Sequence, residues 1–231
     1  MRLADLAALN AARAERRLCA AVTPLGGGPG RLVLAEDAAR DPLAGPLAAR
    51  FASARSGREE ADGVFVRVYR PSPRLVVVGA VHITQTLAPM AEAAGFDVTI
   101  IDPRGAFATP ERFGAHRLIA EWPDADLMAL DRETAVATLT HDPKIDDPAL
   151  IAALAAGSFY VGALGSRKTH GRRVERLGAA GVASADIARI HAPIGLAIGA
   201  SSPPEIAVAV LGEIIAALRG ASRLAEARAA A

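Results

Sequence analysis

Four consecutive residues, Gly165-Ser166-Arg167-Lys168, combine a flexible turn, a hydroxyl and two cations. A glycine after an apolar run lets the backbone turn. The serine can cap a following helix, and the cations add charge near free N–H groups. That combination suits a phosphate or another oxyanion. It also describes an ordinary N-cap followed by two solvated basic residues. Thr140-His141-Asp142 sets a hydroxyl, an imidazole and a carboxylate side by side. His141 joins His82 and His191 as a candidate for hydrogen bonding, proton transfer or metal ligation. None of the three has a partner at H-x-x-x-H or comparable spacing, and no metal site is assigned. Asp142, Asp146 and Asp147 resemble a carboxylate cluster. Asp147, just before Pro148, reads instead as the N-cap of a helix. No spacing marks a Ser/His/Asp nucleophile, and no catalytic residue is assigned.

The turn Gly79-Ala80-Val81-His82-Ile83-Thr84 is a further candidate. A dinucleotide-binding turn reads G-x-G-x-x-G, with an acid beyond the next strand that reaches a ribose hydroxyl. Here Gly79 holds the first glycine position, while Val81 and Thr84 hold the second and third. A valine side chain would stand where a pyrophosphate needs bare backbone. Asp102 has the spacing of the ribose-binding acid. Gly195 and Gly199 punctuate the segment His191 to Gly199, a Gly-rich loop or short strand.

These residues need a frame, and the stretch Arg74 to Asp102 supplies it. Leu75 to Val78 is a β-branched run of the kind buried on both faces. Ile83, Leu87, Met90, Ala91 and Ala94 follow at helical spacing, Gly95 ends the helix, and Val98 to Ile101 is a second strand. This is a βαβ unit of a parallel sheet. Further strands are expected at Leu118 to Glu121, Thr134 to Leu139 and Phe159 to Leu164, with Val174 and Leu177 facing the core from the helix after the last. Ser202-Pro203-Pro204-Glu205 is a capping box that opens a helix with Ala207, Val210, Leu211, Ile214, Ile215 and Leu218 on one side. In such a sheet, ligands bind outside the carboxyl ends of the strands, where all the candidate loops emerge.

Before Pro71-Ser72-Pro73, a stiff link, the chain reads differently. A helix over 2–17 precedes a strand at Leu18 to Val22, with a Gly-rich turn and a hairpin partner at Leu32 to Leu34. A small helix over 42–53, a polar loop and the strand Val64 to Tyr69 follow. The expected fold is therefore α/β: a Rossmann-like, doubly wound, mostly parallel sheet at 74–219, a small N-terminal α+β subdomain at 1–70 and a tail at 220–231. The 26 basic and 25 acidic residues leave a net charge of +1, so no basic field draws nucleic acid or an acidic membrane surface. One cysteine, Cys19, excludes an internal disulfide and reads as a small core residue. No run approaches the length of a membrane span, and no signal-peptide core is read near the N-terminus; a cytoplasmic protein is expected.

Four segments then carry a resemblance: Gly79-Ala80-Val81-His82; Leu139-Thr140-His141-Asp142; Tyr160 to Lys168; and Pro193 to Ala207. Together, in this order, the chain over about 74–218 resembles the XdhC/CoxI family, accessory proteins of xanthine dehydrogenase and related molybdenum hydroxylases. The resemblance implies a Rossmann-like domain that binds molybdenum cofactor (molybdopterin, or its dinucleotide form). Such a protein supports the cofactor's sulfuration and inserts it into the apo-enzyme, a carrier without turnover. The implied partners are a cysteine desulfurase and a subunit of a xanthine dehydrogenase-type molybdenum hydroxylase. Such domains often pair, which allows a homodimer. The resemblance implies cofactor contacts from Gly79, His82, Asp102, Thr140, His141, Asp142, Gly165, Ser166, Arg167, Lys168, Gly195 and Gly199. Ser166, Arg167 and Lys168 would meet the phosphate, His141 and Asp142 the pterin or molybdenum side, and Asp102 a ring N–H or a nucleotide extension. The chain departs from the family at Val81, where glycine is usual, and in residues 1–73, where only Val22 to Gly28 is roughly comparable. Two alternatives stand beside this reading: an NAD(P)-binding oxidoreductase, and a ligand-free scaffold subunit of a hydroxylase complex.

Overall fold

A computed structural model describes residues 3–114 and 116–220; the part of the expected tail beyond Gly220 lies outside the described residues. The chain divides into two units, Met1–Pro71 and Ser72–Ala231.

In the first unit, helix α1 (Leu3–Ala14) leads to strands β1 (Cys19–Pro24) and β2 (Arg31–Leu34). A 3₁₀ segment and helix α2 (Ala44–Ser53) follow, then β3 (Gly57–Glu59) and β4 (Val64–Tyr69). The strands form an antiparallel sheet in the order β2-β1-β4-β3. Strand β3 falls in the segment expected as a polar loop. Its residues Gly-Arg-Glu carry no apolar alternation, and pairing with β4 alone makes it an edge strand. Ala20, Val22, Val33, Leu47, Val64 and Val66 form the core between this sheet and α2. Cys19 is fully buried, and that burial pushes its thiol pKa up against the weaker pull of Arg13 and Arg17. A buried, protonated thiol is a packing group rather than a nucleophile.

The second unit begins with the expected βαβ: β5 (Arg74–Val78), α3 (His82–Ala93) and β6 (Asp97–Ile101). Short elements α4 (Pro110–Phe113), β7 (Arg117–Ile119) and α5 (Ala125–Met128) come next. Then follow β8 (Thr134–Thr138), α6 (Pro143–Ala155), β9 (Tyr160–Ala163), α7 (Arg167–Ala179), α8 (Ser184–Ile187), β10 (Ile190–His191) and α9 (Pro203–Leu218). All six strands are parallel, in the order β10-β9-β8-β5-β6-β7. This is the doubly wound order, which reverses between β5 and β8.

The β-branched runs alternate between two buried layers, as a pleated strand requires. Leu75 and Val77 point to the layer that holds Leu87 and Ala91 of α3 and Val210 and Ile214 of α9. Val76 and Val78 point to the opposite layer, with Ile145 and Leu150 of α6 and Leu177 of α7. Helix α9 opens on the expected capping box. The Ser202 hydroxyl accepts from the Glu205 N–H, and the Glu205 carboxylate accepts from the Ser202 N–H.

Two local expectations are corrected. Helix α6 starts at Pro143, not near Pro148, because Asp142-Pro143 already supplies the cap and first-turn proline. The Asp142 carboxylate accepts from the Lys144 N–H at 2.9 Å. Asp147 is not a cap; it binds Arg176 through two hydrogen bonds of 2.6 and 3.0 Å. In α7 the buried face is set by Leu177 and Arg173, while Val174 is exposed. Arg173 lies one helical turn before Leu177, so the helix presents a guanidinium to the layer where valine was expected.

Candidate functional site

Parallel strands send all their carboxyl ends to one edge, so the loops after β5, β6, β8, β9 and β10 meet there in strand order. The closest approach is at the reversal between β5 and β8. Gly79 has φ +126°, and a Cβ placed on it would come within 3.1 Å of the Thr140 methyl and 3.2 Å of the Leu139 carbonyl carbon. Glycine is therefore required by neighbouring backbone as well as by its own conformation.

The β5–β6 side of this crevice is closed by protein groups. Asp102 is fully buried at the end of β6. Its Oδ2 accepts from the Ala80 N–H at 2.8 Å and from Arg104 Nη2 at 2.8 Å. Its Oδ1 accepts from Arg104 Nε at 2.9 Å and from the Arg104 N–H at 3.0 Å. Burial pushes the carboxyl pKa up, but the hydrogen bonds from Arg104 and Ala80 outweigh it and hold Asp102 below the ordinary range. Asp102, expected to meet a ribose, ring N–H or nucleotide extension, has four protein donors instead. Arg112 adds a bond from Nη1 to the Ala80 carbonyl at 2.9 Å. Val81 caps α3 without a side-chain bond, and His82 is exposed at its first turn.

The β8–β9 side is different. Thr140 is buried, and its hydroxyl donates to Asp146 Oδ1 at 2.7 Å while accepting from the Asp142 N–H at 3.0 Å. His141 is exposed with φ +64°, an uncommon conformation for a side chain of its size. Beyond them lies a cavity of about 210 Å³ between the first turn of α6 and the first three turns of α7, lined by His141, Asp146, Thr169, Arg172, Arg173 and Arg176. Arg173 and Asp146 are 2% and 1% exposed. Burial holds the Asp146 carboxyl above the usual range, partly offset by the Thr140 bond and the charge of Arg173. Burial likewise lowers the Arg173 pKa.

The Gly165-Ser166-Arg167-Lys168 turn sits at the same edge but contributes differently from expectation. Ser166 caps α7, its Oγ accepting from the Thr169 N–H at 3.2 Å. Arg167 and Lys168 are exposed and do not line the cavity; the arginines two turns further along do.

The 191–199 segment is fastened to α9. Glu213 Oε2 accepts from the Tyr160 hydroxyl at 2.6 Å and from the Gly195 N–H at 2.8 Å, and Oε1 lies 3.2 Å from His191 Nδ1. The Tyr160 and His191 rings pack with centroids 4.6 Å apart. Gly195 has φ +94°, and a Cβ there would stand 3.1 Å from the Val210 nitrogen. His191 and Gly195 thus hold this loop in place, and Gly199 lies in its exposed part. A larger hollow of about 720 Å³ lies within the first unit, beside α1 and β2. Its arginines are already paired, Arg31 with Asp41 and Arg17 with Glu36, so it presents no comparable unmet chemistry. Among the described residues, no three His, Cys, Asp or Glu side chains cluster to hold a metal ion.

Sequence reading missed Arg173, Tyr160 and Glu213, and noted Asp146 only as one of a carboxylate cluster. The signal for Arg173 was present: counting back four from Leu177 on a helix gives an arginine on the core side. Tyr160 and Glu213 are 53 residues apart and carry no such signal.

Comparison with known proteins places this geometry. The model of the XdhC Rossmann domain matches residues 75–214. The chain is 36% identical over 157 residues to an uncharacterized protein, YqeB, of Escherichia coli, covering 67% of this chain and 29% of that one. It is 33% identical over 146 residues to the molybdenum cofactor insertion chaperone PaoD of Escherichia coli, covering 63% and 40%. It is 31% identical over 160 residues to a probable xanthine dehydrogenase subunit of Bacillus subtilis, covering 68% and 46%. The matched part is thus less than half the length of each of these relatives. A solved structure described as a xanthine dehydrogenase from Bacillus halodurans superposes with a TM-score of 0.67 at 20% identity, covering 95% of this chain and 68% of that one. That likeness is one of fold.

Proposed function

The chain belongs to the XdhC Rossmann-domain family, and from that premise we propose that it binds molybdenum cofactor and delivers it to a xanthine dehydrogenase-type molybdenum hydroxylase. The names of two relatives, PaoD and the xanthine dehydrogenase subunit of Bacillus subtilis, support this direction. The observation that carries it is the buried guanidinium of Arg173, whose Nε and Nη1 have no partner, beside the carboxyl of Asp146 in a cavity at the carboxyl edge of the sheet. A cofactor made of a hydrogen-bonding pterin and a phosphate fits such a site, because it offers both acceptors and donors to buried polar groups.

In this reading the cofactor is cargo. Thr140, His141 and Asp142, with the turn at Gly79, form one wall. Gly165, Ser166, Arg167 and Lys168 form the other, and the glycine loop containing Gly195 and Gly199 lies beyond them. The protein's own work is to bind, orient and shield. His141, exposed at the rim, would meet the pterin or molybdenum side of the cofactor together with Asp142. Protection during sulfuration by a cysteine desulfurase, and pairing of two copies, belong to the same proposal.

The competing oxidoreductase reading meets a specific obstacle. An NAD(P) ribose would have to displace Arg104 from Asp102, and Val81 occupies the second glycine position of the turn. The test is to purify the chain from a cofactor-competent host, denature it and measure the fluorescence of the released oxidised pterin. Pterin released in proportion to protein is expected. Absence of pterin together with saturable NAD(P)H binding would overturn the proposal.

A further inference from the structure

Among the described residues, three buried side-chain polar atoms without a partner surround the α6–α7 cavity. Of the three guanidinium nitrogens of Arg173, only Nη2 has a partner, the Leu164 carbonyl at 2.9 Å. Nε and Nη1 are buried without one. From α6, Asp146 spends Oδ1 on Thr140, and its Oδ2 is buried without a partner. Each unmet buried polar atom costs about 1–3 kcal/mol, and more when charged. Three of them around one hollow mark a site whose hydrogen bonds are to be completed by something else.

The chemistry of that group can be read from the lining. Arg172 is exposed at the mouth, and Arg173 is buried at the wall. Arg176 also lines the cavity but is held by Asp147. Positive charge therefore exceeds the single carboxyl of Asp146. Oδ2 of that carboxyl faces no protein partner, and burial favours its protonated form over that of an exposed carboxyl. The volume of about 210 Å³ equals about seven waters at roughly 30 Å³ each, enough for a tetrahedral anion with part of its bearer. Guanidinium groups are the preferred partners of phosphate oxygens.

We infer that the cavity between α6 and α7 is a subsite for a phosphate monoester, with Arg173 and Arg172 donating to its oxygens and Asp146 sharing a hydrogen bond with it. This moves the anion from Arg167 and Lys168 at the rim to arginines further along the same helix. It rests on the proposed cofactor role only in naming the bearer, the phosphate of the pterin; the subsite itself stands on the geometry.

The probe is inorganic phosphate, titrated into the full chain freed of pterin, at fixed ionic strength, by calorimetry. Saturable binding is expected. Arg172→Ala, a surface change, should weaken it by roughly tenfold, the size of one charge-assisted hydrogen bond. Arg173→Gln should abolish it, with the thermal melt reporting whether that variant folds. Absence of saturable binding by the parent chain would overturn the inference. So would an unchanged affinity in Arg172→Ala, or loss of binding on replacing Arg167 and Lys168 alone. Because no pterin is present, any of these three failures would remove the subsite and leave pterin retention to its own assay.

Discussion

Replacing Tyr160 with phenylalanine tests how the 191–199 loop is held. The ring is 1% exposed and would keep its packing, so the substitution removes little besides the hydroxyl. That hydroxyl donates to Glu213 at 2.6 Å, a short bond to a carboxylate. Burial and the neighbouring Glu213 push the phenol pKa far up, so Tyr160 remains a donor at any working pH. A hydrogen bond to a charged group contributes about 1.5–3 kcal/mol. For a unit of this size, each kcal/mol moves the melting temperature by about 2–4 °C, which gives a loss of about 3–12 °C. The deficit should depend on pH. Burial raises the Glu213 pKa, but the bonds from His191, Tyr160 and Gly195 hold it below the ordinary range. A depressed carboxyl contributes stability that is complete above its unfolded value, about 4.3, and is lost as pH falls through the folded value. The gap between parent and variant should therefore be full near pH 7 and narrow in acid. Differential scanning calorimetry over pH 3–8 reads both effects, and hydrogen exchange at the Gly195 amide reads the loop. A shift below about 1 °C at pH 7, or one unchanged in acid, would refute the claim that Glu213 fastens this loop.

Three further outcomes are expected. Asp146→Asn should gain stability relative to the parent as pH rises: a carboxyl with a raised folded pKa is penalised above its unfolded value of about 3.9, and the amide removes that penalty. Urea unfolding at pH 4 and pH 8 measures it. Gly79→Ala should cost about 2–5 kcal/mol, from a backbone at φ +126° and a Cβ pressed against Leu139 and Thr140, read as a lower urea midpoint with unchanged slope. Arg104→Ala should cost about 3–5 kcal/mol by leaving Asp102 buried with only backbone donors, with the deficit shrinking below about pH 4.

The four central strands of the parallel sheet were legible because they are buried on both faces. The short β-branched run Val76-Val77-Val78, closed by Gly79, reads as a buried strand, and the capping box at Ser202–Glu205 announces α9 from four residues. Two classes of feature were not. Edge strand β3 has no hydrophobic signature, since pairing rather than burial forms it. The polar interior was hidden for another reason: Arg173 looks like one more surface arginine in a basic helix, and Glu213 like a solvated acid. Their burial depends on strands and helices distant in sequence, which a local period does not report. Asp142 and Asp147 were exchanged for the same reason. Either acid precedes a proline, and only the path of the chain out of β8 selects the first as the cap.

The position of the polar interior bears on what the fold holds. In a dinucleotide-binding sheet, the ligand lies over the first strand, on the glycine turn and the acid beyond it. Here that place is filled from within: Arg104 takes both oxygens of Asp102, Arg112 takes the Ala80 carbonyl, and a valine side chain stands at the turn. The unmet groups of Arg173 and Asp146 lie on the other side of the reversal, between the helices that follow β8 and β9. Thr140 joins the two sides, lying against Gly79 and donating to Asp146. Under the proposed function a ligand would lie toward α6 and α7, with its anionic end inward and its other end at the exposed rim of His141, Arg167 and Lys168. That orientation would suit a cargo to be handed on, because the Arg173 charge is buried while the rim stays accessible.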